Sequence, residues 1–385
     1  MKVLCKWYET CYDQKMFGRN HDTSTNLAHG FHKPRAQTLV SGQSTSTTTP
    51  HQATAVESSD LPTPSKSIDA PESFEINIPA DHQAVMRKDY FTDSYVMIAP
   101  KRHLRPSDFA GSERRLIETA SSPRLDLQAE VDAIKDRDGN WQTKVVDNKF
   151  PALSLDNPLA FGKQELVIDT PLANVPLGKV GREQLLVVLQ TYQKRYKALS
   201  KIRGIKYVTI FKNDGVRAGA SLAHSHSQIF ATAIIPTKVA HISQAAEQYF
   251  QKHGKNAYKT LIDFELREKV RVIGQSNSMI AICPFAPRWP LDAWILPRKQ
   301  IGSLAEMDDA TLGNLADMLY PLINKLTRYQ IDYNFYLENA VSPNHRFAIK
   351  LQARSLNWWA GFEIASDMAI NPIPPEIAAA WYRDA

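Results

Sequence analysis

The chain has 385 residues, 43% hydrophobic and 22% charged, with a formal charge of +6. That length suits two or three ordinary domains, and no run of about 18 apolar residues marks a membrane span. Cys5, Cys11 and Cys283 are too few and too scattered for a disulfide framework, and Met1 to Trp7 holds no apolar leader core. The expected setting is therefore the reducing cytoplasm.

Residues 1–80 read as a disordered, low-complexity tail. Ser41 to Pro50 is mostly Ser and Thr, and Ser, Thr and Pro continue to Pro71. Such a segment buries too little apolar surface to offset the entropy of ordering it. Cys5 and Cys11 are spaced too widely for a zinc knuckle. Acidic and basic residues balance through Glu72, so the basic excess lies in the rest of the chain. A modest excess suits phosphate-bearing substrates. No basic-aromatic cluster stands out, so nucleic acid is not an expected partner.

A first domain is expected over 81–236. Tyr95 to Ile98 reads as a strand running into Arg102-His103-Leu104-Arg105-Pro106. Asp138-Gly139-Asn140 predicts a hairpin whose second strand is Gln142 to Asp147, followed by Asn148-Lys149-Phe150-Pro151-Ala152-Leu153. Glu165 to Asp169 predicts a strand. Leu185, Leu189, Tyr192, Tyr196 and Leu199 recur at helical spacing from about Arg182. Lys206 to Phe211 predicts a strand feeding the glycine-bearing loop Asn213 to Gly219. Backbone N–H groups in such a loop can approach a phosphate closely.

Next comes His224-Ser225-His226-Ser227-Gln228. If a strand begins near His224, alternation puts His224, His226 and Gln228 on one face and both serines on the other. Two imidazoles and an amide in a row cover no apolar surface, so this face is expected to line a site. The alternatives are a partly buried strand histidine and a metal pair lacking a third ligand.

Residues 237–269 read as a helical connector. A second domain is then expected over 270–385, where the element order recurs: Met279 to Ile282, the Phe/Pro turn Cys283 to Trp289, Ala293 to Pro297, a helix from about Asp309, Tyr333 to Leu337, and Arg346 to Leu351. Internal duplication is the simplest account. Ala348 falls where the first copy has its imidazoles, so the second copy reads as degenerate.

From about Tyr90 onward these motifs resemble the histidine-triad (HIT) superfamily. More narrowly, they resemble its galactose-1-phosphate uridylyltransferase branch, which also contains ADP-sugar phosphorylases and is related to dinucleoside-polyphosphate phosphorylases. Arg102 and Arg105 resemble the early basic motif that touches phosphates. Asn148 and Phe150 lie in the turn that holds the nucleoside. Asn213 through Gly219 and Ser221 to His224-x-His226-x-Gln228 keeps the spacing from phosphate loop to nucleophile. The resemblance implies an α+β fold of two tandem HIT-like domains and a cytoplasmic homodimer of carbohydrate, typically galactose, metabolism.

The activity so implied is nucleotidyl transfer between a nucleotide sugar and a sugar phosphate, by a ping-pong route through a nucleotidyl-histidine. His226 is the implied nucleophile, Gln228 a phosphate donor and His224 a support. Phosphorolysis of a nucleotide sugar or dinucleoside polyphosphate by inorganic phosphate is the rival within the class. A nucleotide-binding protein without turnover is the rival from another class.

The departures concern the metal and the sugar. No cysteine lies between Arg105 and Asn148, and Gln164 stands where the family's zinc site has a histidine. No cofactor is therefore expected to be required and no metal ligands are assigned, zinc being the group the family would imply. Ala369 stands where the uridylyltransferases place a hexose-binding glutamine, and Ser225 rather than proline separates the histidines, as on the ADP-sugar phosphorylase side.

Overall fold

A computed structural model describes residues 76, 78–79, 82–104, 129–354 and 359–384. Almost all of the 1–80 tail, Arg105 and Trp358 lie outside the described residues.

The described residues build one ten-stranded antiparallel sheet and one three-stranded sheet. The first five strands of the large sheet are β3 (Glu130–Lys135), β4 (Trp141–Asp147), β5 (Gly162–Ile168), β6 (Tyr207–Asp214) and β7 (His226–Thr232). The other five are β8 (Val272–Gln275), β9 (Met279–Ile282), β10 (Ala293–Pro297), β11 (Asp332–Glu338) and β12 (Ala348–Arg354). Their spatial order is 3-4-5-7-6-11-12-10-9-8, so the second half repeats the first in reverse. The halves meet at the antiparallel pair β6–β11, where Asn213 faces Asn334. The duplication is thus a continuous sheet: pairing β6 with β11 satisfies the backbone of two strands that would otherwise be edges.

Helix α1 (Arg182–Leu199) buries Leu185, Val188, Leu189, Tyr192 and Leu199, the stripe expected from its spacing except that Tyr196 is only partly covered. Helix α4 (Asp309–Arg328) begins at Asp308, whose side chain accepts from Thr311 N at 2.8 Å, and buries Leu312, Leu315, Leu319 and Leu322. Both helices share a core with Val167, Ile210 and Ile229 of the first half and Phe335, Ile349 and Leu351 of the second.

Two helices occupy residues 237–268. Helix α2 (Thr237–His253) stops at Gly254 in the left-handed region, and α3 (Ala257–Glu268) restarts behind Asn256, whose side chain accepts from Lys259 N. Ile242, Ala246, Tyr258, Leu261 and Ile262 from this pair pack with Ile280, Ile282, Trp294, Leu296 and Ala348. They therefore cover a face of the second half.

The small sheet was only half legible. Strands β1 (Val85–Lys88) and β2 (Tyr95–Ile98) form a hairpin, and β13 (Ala369–Asn371) joins β2 in parallel from the far end of the chain. Val96, Ile98 and Ala369 pack with Ala286 and Phe285 of the turn after β9. Two helices follow β12, α5 (Gly361–Ser366) and the last one, α6 (Pro375–Arg383).

Candidate active site

Regular pairing of β7 starts at His226, two residues later than expected, and His224 belongs to the approach. The alternation holds where it matters. Ser225 and Ser227 point into the core: the Ser225 hydroxyl donates to Asp169 Oδ2 at 3.0 Å and the Ser227 hydroxyl to Asp169 Oδ1 at 2.9 Å. His226 and Gln228 alternate with them and so emerge on the opposite face.

Each imidazole has one nitrogen tied to a backbone carbonyl. His226 Nδ1 lies 2.9 Å from the oxygen of His224, and His224 Nε2 lies 2.7 Å from the oxygen of Thr170. A carbonyl only accepts, so both of these nitrogens carry the proton. His226 is left with its lone pair on Nε2. Its pKa is lowered, first by burial and then by the Lys212 ammonium, against a smaller opposing pull from the His224 carbonyl and Asp169. The imidazole is therefore held in its neutral form around neutral pH, with a lone pair on Nε2.

The loop between β6 and β7 is held by the second half of the chain. Gly215 has φ 89° and Gly219 φ 87°. A Cβ at position 215 would sit 2.0 Å from Asp332 Oδ1, so only glycine fits there. Asp332 Oδ2 accepts from Arg217 N at 2.9 Å. Asn334 Nδ2 donates to Asn213 Oδ1 at 2.8 Å and to Ala218 O at 2.7 Å, while Asn213 Nδ2 donates to Gly219 O at 3.4 Å. Ser221 and Gly219 are exposed. Asn334 and Asp332 escaped sequence reading because they come from the other repeat; only the β6–β11 pairing brings them here.

Asn148 is a turn residue: its Oδ1 accepts from Phe150 N at 2.9 Å, and the Phe150 ring is 83% exposed. The turn is tied to the strand through Gln164. Gln164 Oε1 accepts from Ala152 N at 2.9 Å, and its Nε2 reaches Gln228 Oε1 at 3.5 Å. With its oxygen turned toward Gln164, Gln228 keeps its amide nitrogen as a donor. Gln164, at a position where the resemblance implies a histidine, thus joins the 148–152 turn to the strand that carries Gln228.

Arg102 lies in a short turn, Pro100–Leu104, at the end of the small sheet. That sheet packs on the second half's 283–289 turn, so this basic element rides with the second half. Arg105 lies outside the described residues.

The second repeat has a counterpart for each position. β7 and β12 are both seven residues long, and Gln228 pairs with Phe211 as Lys350 pairs with Tyr336. His226 therefore corresponds to Ala348 and Gln228 to Lys350. Ala348 is fully buried under the α2–α3 cluster. Lys350 Nζ lies 2.8 Å from Glu338 Oε1 and 4.5 Å from the Trp294 ring centroid. Arg346, two residues before Ala348 as His224 is before His226, donates to the carbonyls of Pro297 and Arg298 at 3.0 Å. The position of His226 is thus filled by packing, that of Gln228 by an ion pair, and that of His224 by a guanidinium bonded to main-chain carbonyls.

A cavity of about 910 Å³ lies over this second half, lined among others by Lys238, Arg288, Asp292, Trp294, Tyr336 and Lys350. Burial pushes the Asp292 carboxyl up to about 7, against the pull of Lys238 and Lys350, and its Oδ1 has no hydrogen-bond partner. A carboxyl raised in the folded state favours its protonated form. Its contribution is therefore complete below the unfolded pKa of about 4 and is lost as pH rises through about 7. Asp292→Asn should accordingly stabilise the protein by roughly 2–4 kcal/mol at pH 8, with the gain shrinking toward pH 5. Thermal melts of both proteins across that range test this; a gain independent of pH would refute the assignment.

Among the described residues, no group of three His, Cys, Asp or Glu side chains is placed to hold a metal ion. At the positions where the family implies zinc, Gln164 is spent on Ala152 and Gln228, and His224 Nε2 on Thr170. These residues do not fit a zinc ion. No helix among the described residues is long and apolar enough to cross a membrane.

Tandem five-stranded units sharing one sheet, with a histidine strand in the first, define a duplicated HIT-like protein. The sequence profile described as "Galactose-1-phosphate uridyl transferase, N-terminal domain" matches residues 132–236, and its C-terminal counterpart matches 243–343. The chain belongs to the galactose-1-phosphate uridylyltransferase family. It is 28% identical to the ADP-glucose phosphorylase of Arabidopsis thaliana, an alignment covering 78% of this chain and 92% of that protein. It is 24% identical to the galactose-1-phosphate uridylyltransferase of Thermotoga maritima, covering 78% and 98%. The crystal structure of the Arabidopsis ADP-glucose phosphorylase with bound ADP-glucose superposes with a TM-score of 0.68 at 27% identity, covering 79% of this chain and 99% of that one.

Proposed function

We propose that the protein transfers a nucleoside monophosphate from a nucleotide sugar to a phosphate acceptor through His226. The observation that carries this is the His226 Nδ1–His224 carbonyl bond of 2.9 Å, which leaves the lone pair on Nε2. In the first step Nε2 attacks the α-phosphorus, an N–P bond forms, the bridging P–O bond breaks, and sugar phosphate leaves with that electron pair. In the second step an oxygen of the acceptor phosphate attacks, the N–P bond breaks, and the neutral imidazole returns.

Gln228 donates its amide to a non-bridging oxygen, and His224 holds the tautomer of His226 through its carbonyl. The exposed Phe150 ring and Asn148 meet the nucleoside, and the loop from Asn213 to Ser221 meets the phosphates. The step needs no zinc at the Gln164–His224 position.

Inorganic phosphate is the acceptor favoured here. Ala369, where the uridylyltransferases place a hexose-binding glutamine, is 2% exposed and packs with Val96, Ile98 and Ala286, offering no donor to a hexose. The protein works as a homodimer. The first half's exposed Phe150 and Leu159, and an Arg102 carried on the second half, suit completion by a second copy. Cys283, a buried free thiol, suits a reducing cytoplasm.

The test is intact mass after incubation with ADP-glucose, UDP-glucose or UDP-galactose without acceptor, quenched at alkaline pH. Addition of one nucleoside monophosphate is expected, discharged faster by inorganic phosphate than by glucose-1-phosphate or galactose-1-phosphate. Nucleotide binding without any adduct would sink the transferase reading.

A further inference from the structure

Behind β7, on the core face of the sheet, lies a group of buried polar side chains that nucleotidyl transfer does not itself require. Lys212 is 1% exposed, Asp169 and Ser227 are 0%, Ser225 is 7% and Tyr192 is 0%. The Lys212 ammonium donates to Asp169 Oδ2 at 2.8 Å, to the Ser225 hydroxyl at 3.0 Å and to the main-chain oxygen of His226 at 3.0 Å. Asp169 also accepts from the hydroxyls of Ser225 and Ser227, and the Tyr192 hydroxyl donates to Ser227 Oγ at 2.5 Å. An ion pair placed in an apolar core is costly unless its geometry and hydrogen bonds are complete. Every bond here ends on His226, on its two neighbours, or on a group that holds them.

The second repeat supplies an internal control. Lys212 pairs with Ser227 as Leu337 pairs with Ile349, and the strand registers place Phe347 opposite the role of Ser225. Leu337, Ile349 and Phe347 are 0–1% exposed, so the same architecture is packed there with apolar side chains. The fold therefore does not need a lysine and two serines at these positions. They occur behind the strand that carries an imidazole and not behind the one that carries Ala348.

We infer that Lys212, with Asp169, Ser225, Ser227 and Tyr192, is a positioning device for the nucleophile. Lys212 and Asp169 clamp the backbone on both sides of His226, so that the His224 carbonyl stays opposite Nδ1 and Nε2 stays aimed at the phosphorus. Small displacements of a reacting atom cost about 10²-fold in rate, which is why a buried clamp is worth its burial. The inference rests on the reading of His226 as the nucleophile.

The test compares the parent protein with Lys212→Leu, the residue the second repeat already uses, and with Lys212→Leu/Asp169→Asn, which leaves no buried charge. Three quantities are read: the melting curve, the dissociation constant of ADP, and the rate of nucleotidyl adduct formation from ADP-glucose or whichever donor labels the parent. The ¹⁵N signals of His226 report its tautomer. The expected result is folded protein, ADP binding within about threefold of the parent, adduct formation slowed about 100-fold, and loss of the single Nδ1–H tautomer.

Adduct formation at the parent rate in either folded variant would overturn the inference. So would failure of the double variant to fold, since the group would then be a stability element. Absence of an adduct in the parent protein is a different result and removes the transferase reading itself.

Discussion

His226→Ala is expected to abolish adduct formation and to lower turnover by at least about 10⁴-fold, while nucleotide still binds. The side chain removed carries its untied ring nitrogen, Nε2, on the regular part of β7. His224 has its Nε2 committed to the Thr170 carbonyl and lies before the regular part of β7. Gln228→Ala is expected to fall between the two extremes, at about 10²-fold, because it removes one donor to a charge that other groups also meet. Single-turnover labelling followed by mass spectrometry reads both. An adduct of undiminished yield in His226→Ala would move the nucleophile elsewhere.

The largest expected effect on stability lies far from that strand. Glu265, fully buried in α3, accepts from Tyr90 at 2.5 Å and from Arg271 Nε and Nη2 at 3.1 Å. Arg271, itself 1% exposed, also donates to Glu376 of α6 at 2.9 Å, and Glu376 accepts from Arg87 of β1 at 2.9 Å. This cluster bolts the β1–β2 hairpin, the connector and the last helix to one another. Glu265→Ala leaves the Arg271 guanidinium buried beside a cavity, and such a break costs about 3–5 kcal/mol. The Lys259–Asp263 pair on the same helix is exposed on both sides. Asp263→Ala should therefore cost less than about 0.5 kcal/mol. Denaturant titrations of the two variants make the comparison, and equal losses would refute it.

Much was legible in the residues themselves. Local periodicity located α1 and α4, because one-sided burial imposes a period on each helix independently of its partners. The alternation through 224–228 separated the imidazole face from the serine face, because strand geometry leaves no other arrangement. The repeated order of elements disclosed the duplication, and Ala348 disclosed which copy lost its imidazole.

What stayed out of reach depended on contacts between segments distant in the chain. The β6–β11 pairing that joins two repeats into one sheet, and thereby brings Asn334 and Asp332 against the loop between β6 and β7, leaves no trace in local pattern. The parallel addition of β13 to β2 joins residues near opposite ends of the described chain. Lys212 carried a faint signal, a lysine that continues the inward register of Val208 and Ile210. Its partner Asp169 lies 43 residues away and could be named only once β5, β6 and β7 were side by side. The sequence by itself determined which atoms could do the chemistry, because that is a property of side chains and their spacing. The tertiary structure decided how those atoms are held, because a buried charge or a bare loop is stabilised by whatever the fold places against it.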